Sequence, residues 1–183
     1  MKIARLRIAV IQAAAAFAIA ASPAHADEKD WANASDIARN GLVLAALGVP
    51  IAKGDKEGAL QAGGSLAISK AESWALKEVI RERRPDGSDY KSFPSGHTTV
   101  SFAAAATLHN RYGWKAGVPA YLAAGFVGVA RVKADKHHWH DVLVGAALGE
   151  ATGLLITSKR DSSVQLVPWA EHGGGGITFA ARF

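Results

Sequence analysis

Apolar positions between Trp31 and Thr157 recur mostly at helical spacing, and glycines, prolines and polar caps punctuate them. Ser35 reads as the N-cap of a first helix running through Leu42, Leu44 and Leu47 until Gly48 and Pro50 end it. Asp55 starts a further segment, which Gly63 and Gly64 interrupt. Ile68, Ala71, Trp74, Ala75 and Val79 then fall at helical spacing; Pro85 closes that helix, and Asp86-Gly87-Ser88 is a turn. Further helices are expected over about 96–109, 116–130 and 136–158. Beyond them, 164–169 and 177–183 carry β-compatible residues with four glycines between, which predicts a hairpin. The expected fold is therefore all-α, a bundle of about five to six helices over 27–160, with a short C-terminal β-hairpin or tail over 161–183.

Gly145, Gly149 and Gly153 recur every four residues and line one helical stripe with bare backbone. Such a stripe lets another helix approach closely, in a membrane or in a tight soluble bundle. Glu150 lies within this stretch, and the helical runs mostly fall short of the roughly 20 apolar residues of a full span. The lengths favour a soluble or peripheral helical domain.

The N-terminus follows a different rule. Lys2, Arg5 and Arg7 precede an apolar run from Ile8 to Ala21 broken only by Gln12, and Ala24-His25-Ala26 follows. A positive start, a short greasy middle and small residues at the cleavage positions describe a secretory signal peptide over 1–26, cleaved after Ala26, which implies a periplasmic protein. Removing it takes away three cations and no anion, so the +5 of the full sequence falls to +2. That value offers no case for nucleic-acid binding. With 49% hydrophobic and 20% charged residues the chain is no disordered polymer, and without cysteine it has neither disulfides nor a thiolate nucleophile.

Three polar clusters interrupt the apolar pattern. Lys77, Arg81 and Arg84 are spaced i, i+4, i+7, so a continuous helix puts all three cations on one face. Alone, such a face is usually just solvated; an anion at its Pro85 end would explain the clustering better. Pro94-Ser95-Gly96-His97 opens a helix, with Ser95 as N-cap and Gly96 permitting close approach of a ligand. Free N–H groups at a helix start suit a phosphate, with His97 beside it, although a plain capped helix explains the tetrapeptide equally well. The third cluster runs from Arg131 to Asp141. His137 and Asp141 are i, i+4, so the carboxylate can fix one ring nitrogen and free the other as nucleophile or base. His137, His138 and His140 also suggest a metal, but no single helical face presents all three, so a metal ranks second.

Taken together, Lys77-x6-Arg84-Pro85, Pro94-Ser95-Gly96-His97 and Arg131-x5-His137-x3-Asp141 resemble the three-part motif of the type 2 phosphatidic acid phosphatase superfamily, which includes bacterial class A acid phosphatases and vanadium-dependent haloperoxidases. The order and spacings match over 77–141. One departure is Ala130, where the family usually has a serine before the third-motif arginine. The resemblance implies a metal-independent phosphatase with no cofactor, hydrolysing a phosphomonoester or pyrophosphate, lipid phosphates among the candidates, through a phosphohistidine. It makes His137 the nucleophile, Asp141 its orienting carboxylate, and His97 the general acid and then base. Lys77, Arg84, Ser95, Gly96 and Arg131 would hold the phosphoryl oxygens. Arg81, Arg83, Lys133, Lys136, His138 and His140 fall outside the matched positions and are left as rim or substrate contacts. The expected partners are a phosphorylated small molecule or lipid and a membrane surface met peripherally. The alternatives are a vanadium haloperoxidase, for which the chain is short, and a non-catalytic anion-binding envelope protein.

Overall fold

The computed structural model describes residues 26–160 and 164–181. The expected export signal therefore lies outside the described residues but for Ala26. Five helices follow one another, α1 (Glu28–Ala52), α2 (Lys56–Val79), α3 (Gly96–Tyr112), α4 (Trp114–Lys133) and α5 (Trp139–Ile156), before strands β1 (Val164–Glu171) and β2 (Gly174–Ala181). This is the expected helical class.

Several boundaries differ from expectation. Ser35 caps nothing: α1 begins two turns earlier, where Asp27 and Asp30 exchange capping hydrogen bonds. Ser35 is buried within that helix, its hydroxyl donating to Ala32 O. Gly48 and Pro50 do not stop α1 either, because Pro50 O still accepts from Lys53 N and Asp55 N and the reversal waits for Gly54 at φ +64°. Asp55 does cap α2, accepting from Gly58 N. Gly63 and Gly64 leave that helix unbroken, since burial of Gln61, Ala62, Ser65 and Leu66 around them outweighs a propensity cost of about 1 kcal/mol each. At its other end α2 stops at Val79, well before Pro85, so Arg81 and Arg84 do not continue the face of Lys77. The chain turns away because 82–84 bonds to another stretch instead: Ser92 N donates to Glu82 O and Arg84 N to Asp89 O. In the terminal hairpin three of the four glycines, 174–176, sit inside β2, and the turn is the two residues His172 and Gly173, the latter at φ +96°. β1 lies against α2 and α5.

Helix α3 is the hub, packed by α1, α2, α4 and α5. A helix covered on every side favours small side chains, and α3 buries Ala103 to Ala106 with Thr98, Thr99, Ser101 and Thr107, beside the larger Val100, Leu108 and Arg111. Its closest neighbour is α5. A Cβ on Gly149 would stand 2.0 Å from Thr99 O, one on Gly145 2.8 Å from Ser95 O, and one on Gly153 2.5 Å from the Ala106 Cβ. The far end of α3 is pinned by Arg111, whose Nε and Nη2 donate to the two carboxylate oxygens of Asp55 at 2.8 and 2.6 Å.

The apolar stripe of α2 points the unexpected way. Trp74 is 62% and Val79 80% exposed, while Ser65, Ser69 and Ser73 are buried. Ile37, Leu44 and Ile51 on α1, Val118 and Leu122 on α4, and Leu143 and Leu155 on α5 also face outward. Among the described residues no helix is long and apolar enough to cross a membrane.

Because Thr99 O belongs to backbone that cannot move aside, Gly149→Ala is expected to lower the unfolding free energy by about 2 kcal/mol or more. Gly63→Ala, with nothing within 4 Å of the new methyl, should be neutral or gain up to about 1 kcal/mol. Denaturant melts of the two variants check this ordering.

Candidate active site

The site forms where the first turns of α3 and α5 meet. Ser95 N donates to Asp141 O at 3.0 Å, a backbone link between the two helix starts. From α5, the Asp141 side chain is fully buried, and its Oδ2 accepts from Ser92 Oγ at 2.5 Å and from His138 N at 2.9 Å. Burial works against ionisation of Asp141, but its contacts with His137, Ser92 and His138 N outweigh this and hold the carboxyl well below the usual range. His137 precedes α5 instead of riding on it. Asp135, at φ +50°, ends α4 and swings the chain back so that Lys136 N donates to Arg131 O.

His137 is 2% exposed and lies between two charges. Its Nδ1 stands 3.4 Å from Asp141 Oδ2 and its Nε2 3.3 Å from Arg84 Nη1. Burial pushes its pKa down to about 4, against the pull of Asp141, and Arg84, Lys77 and Arg131 push the same way. Arg84 is aimed by Asp89, which accepts from Nε at 2.8 Å, and by Lys136 O, which accepts from Nη1 at 2.9 Å. It arrives from a loop, which replaces the helical face expected from its spacing.

Lys77, in the last turn of α2, donates to Lys91 O, Ser92 O and Pro94 O. All three ammonium protons thus tie down the loop leading into α3, while the charge stays at the site; burial and the nearby Arg84 lower its pKa to about 8. Ser95 is buried, and its hydroxyl accepts from Thr98 Oγ1. Gly96 is needed for α2: a Cβ there would lie 2.8 Å from Ser73 Oγ.

The first helix supplies residues that the sequence reading missed. Asp36 Oδ1 stands 2.5 Å from His97 Nε2, and Arg39 Nη1 stands 3.0 Å from the same nitrogen. One ring nitrogen cannot donate to Asp36 and accept from Arg39 together, and the shorter carboxylate contact assigns it as donor. Burial lowers the His97 pKa to about 4, with Arg131 adding to the effect, Asp36 opposing it and Arg39 supporting it. Ser35 Oγ lies 3.3 Å from Arg131 Nη1, so a hydroxyl from α1 meets this guanidinium although residue 130 is alanine. Arg131 is buried, its Nε has no hydrogen-bond partner, and burial lowers its pKa to about 10. Its charge works against protonation of both His97 and His137. The only sequence signal for α1 was an Asp36-x2-Arg39 pair within an apolar helix.

Among the residues left as rim contacts, Lys136 pairs with Asp86, and His138 and His140 both approach Glu82. An open cleft of about 800 Å³ beside the end of α4 is lined by Lys29, Trp31, Lys133 and Lys136, among others.

A sequence profile of the PAP2 superfamily matches residues 58–164, which span every motif residue from Lys77 to Asp141. The chain belongs to the PAP2 superfamily. Its PAP2 relatives include the lipid A 1-phosphatase of Porphyromonas gingivalis, 36% identical over 54% of this chain and 25% of that protein. The lipid A 4'-phosphatase of Helicobacter pylori is 32% identical over 42% and 39% of the two chains. The decaprenylphosphoryl-5-phosphoribose phosphatase of Mycobacterium tuberculosis is 29% identical over 64% and 70%. The aligned part thus spans a quarter to two-fifths of the first two. The PAP2 fold is shared with the transmembrane PAP2 type phosphatidylglycerolphosphate phosphatase of Bacillus subtilis, at TM-score 0.51 and 24% identity over 81% of this chain and 84% of that one. Ser35, Asp36 and Arg39 lie outside the matched range.

An anion bound among these cations should raise the His97 pKa from about 4. Sulfate, which stays dianionic throughout, is therefore expected to bind with uptake of a proton between about pH 4 and 6.5. Calorimetry in buffers of different ionisation enthalpy reads that uptake, and His97→Gln should reduce it.

Proposed function

We propose that this PAP2 chain is a phosphatase that cleaves a phosphomonoester or pyrophosphate through a phosphohistidine at His137. The observation that carries the reading is the buried His137 itself, with Asp141 at one ring nitrogen and Arg84 at the other. With Nδ1 protonated toward Asp141, the Nε2 lone pair attacks phosphorus, and Arg84, Arg131 and Lys77 offset the charge on the phosphoryl oxygens. The bond from phosphorus to the leaving oxygen breaks, and that oxygen takes a proton from His97. Water then attacks phosphorus and gives its proton to His97, and the P–N bond breaks to return the electron pair to His137. Asp36 supports the protonated state of His97 that the first half needs, and the arriving dianion supplies the remaining bias. Ser95 and Gly96 act from the start of α3, whose free N–H groups favour an anion.

A lipid phosphate is the substrate class we favour. Relatives named for lipid phosphates support it, as does the outward set of large apolar side chains on four helices, which suits a protein resting on a membrane surface. We place the reaction in the periplasm, with 1–26 as export signal, 27–160 as catalytic domain and the hairpin as an attached tail.

The purified chain is expected to hydrolyse p-nitrophenyl phosphate without added metal, and His137→Ala to lower kcat at least about 10³-fold. Activity that survived His137→Ala but vanished with EDTA would overturn the assignment. Detergent-solubilised lipid phosphates compared with soluble phosphoesters test the substrate class. For the residues on α1, Asp36→Asn is expected to lower kcat by about ten-fold or more. If Asp36 only braced the fold, the variant would lose thermal stability while keeping the wild-type pH profile.

A further inference from the structure

Beside the phosphate site lies a second cluster, of which the proposed reaction uses only Asp141. Glu82 sits in the loop after α2, held by the bond from Ser92 N to Glu82 O. His138 is the N-cap of α5, and His140 and Asp141 lie in its first turn. Their candidate ligand atoms all fall within 4.8 Å of one another. Glu82 Oε1 is 2.8 Å from His140 Nε2 and 3.1 Å from His138 Nδ1. Asp141 Oδ1 is 3.2 Å from His140 Nε2, and Asp141 Oδ2 is 3.5 Å from His138 Nδ1. A tetrahedral zinc ion with bonds of about 2.0–2.1 Å sets its ligand atoms roughly 3.3 Å apart, and these separations bracket that value.

Two further features point to a ligand at this place. Asp141 is completely buried, yet its Oδ1, the oxygen facing this cluster, has no hydrogen-bond partner. His138 Nδ1 is likewise buried and unpartnered despite its distance from Glu82. Leaving such groups unsatisfied costs about 1–3 kcal/mol each, so a cation would satisfy what the protein alone does not. The surroundings hold the donors in place: the two imidazoles stack at 5.2 Å with planes 10° apart, Phe93 stacks against His140, and Ser92 Oγ and His138 N fix the other oxygen of Asp141.

We propose that Glu82, His138, His140 and Asp141 form a binding site for a divalent transition-metal ion of the zinc type. Two imidazoles with two carboxylates match zinc, whereas magnesium and calcium prefer oxygen donors throughout. The ion takes no part in hydrolysis. It shares Asp141 with His137, so its binding draws negative charge away from the imidazole that attacks phosphorus and slows the enzyme. This second statement rests on the proposed phosphatase reading; the site itself does not.

The test uses the full chain, stripped with EDTA, dialysed into a non-chelating buffer and titrated with ZnCl2 by calorimetry. One ion per chain is expected, with affinity weakened about ten-fold or more in both His140→Ala and Glu82→Gln. Absence of stoichiometric binding, or binding equally tight in both variants, overturns the site; circular dichroism confirms that the variants fold. For the coupling, zinc should lower the rate of p-nitrophenyl phosphate hydrolysis by the wild type, reversibly with EDTA, and much less in His140→Ala relative to that variant's own metal-free rate. Zinc bound at this site with no change in rate overturns the link through Asp141. A chain without phosphatase activity would count against the proposed function, while the binding data would still decide the metal site.

Discussion

The contact between α3 and α5 is the constraint on which the site depends. Gly145, Gly149 and Gly153 bring one backbone against the other so closely that a single methyl at Gly149 would overlap Thr99 O. That approach sets the two helix starts side by side and permits the bond from Ser95 N to Asp141 O. His97 follows directly after the first helix start, and His137 stands just before the second. Buried packing of this kind cannot relax to fill or open a gap of a few tenths of an ångström, so it holds the side chains at the two helix starts in place.

Around that contact, charge is arranged in opposed sets. Lys77, Arg84 and Arg131 gather here, burial raises the cost of the charge on Lys77 and Arg131, and each of the three has partners within the protein. Loop carbonyls hold Lys77, Asp89 and Lys136 O hold Arg84, and Ser35 Oγ lies near Arg131. Each imidazole has its own carboxylate, Asp141 for His137 and Asp36 for His97. Both rings are nonetheless biased toward the neutral form, because burial and the surrounding cations oppose protonation. An anion entering such a site would relieve the mutual repulsion of the cations and favour protonation of the rings, which is how the proposed reaction would couple binding to chemistry.

Many of the large apolar residues lie outside the core instead of in it. The interior around α3 is rich in alanine, glycine, serine and threonine, with Leu42, Leu66, Leu108 and Val127 among its few larger side chains, while many of the tryptophans, leucines, isoleucines and valines of the surrounding helices face outward. Small side chains let the helices close on the site, and the larger ones are left for whatever covers the surface. The same economy explains Gly96, where the lost Cβ makes room for Ser73 of α2.

Spacing along the chain by itself determined much of this protein. The glycine repeat, the cap at Asp55 and the helix start at Ser95 follow from local pattern, and the spacing of Lys77, Arg84, His97, Arg131, His137 and Asp141 carries the family resemblance. Those features are legible because each depends on neighbours within a turn or two, or on residue types at fixed intervals. The course of 80–95 was decided only by the tertiary structure, since hydrogen bonds to distant carbonyls outweigh the helical spacing of Lys77, Arg81 and Arg84. So was the outward turn of the Trp74 and Val79 stripe, because periodicity tells that one face is apolar but not which side the rest of the molecule covers. The contribution of α1 lay furthest from view. Asp36 and Arg39 meet a histidine about sixty residues away, and no local rule records a contact that exists only once the bundle has closed.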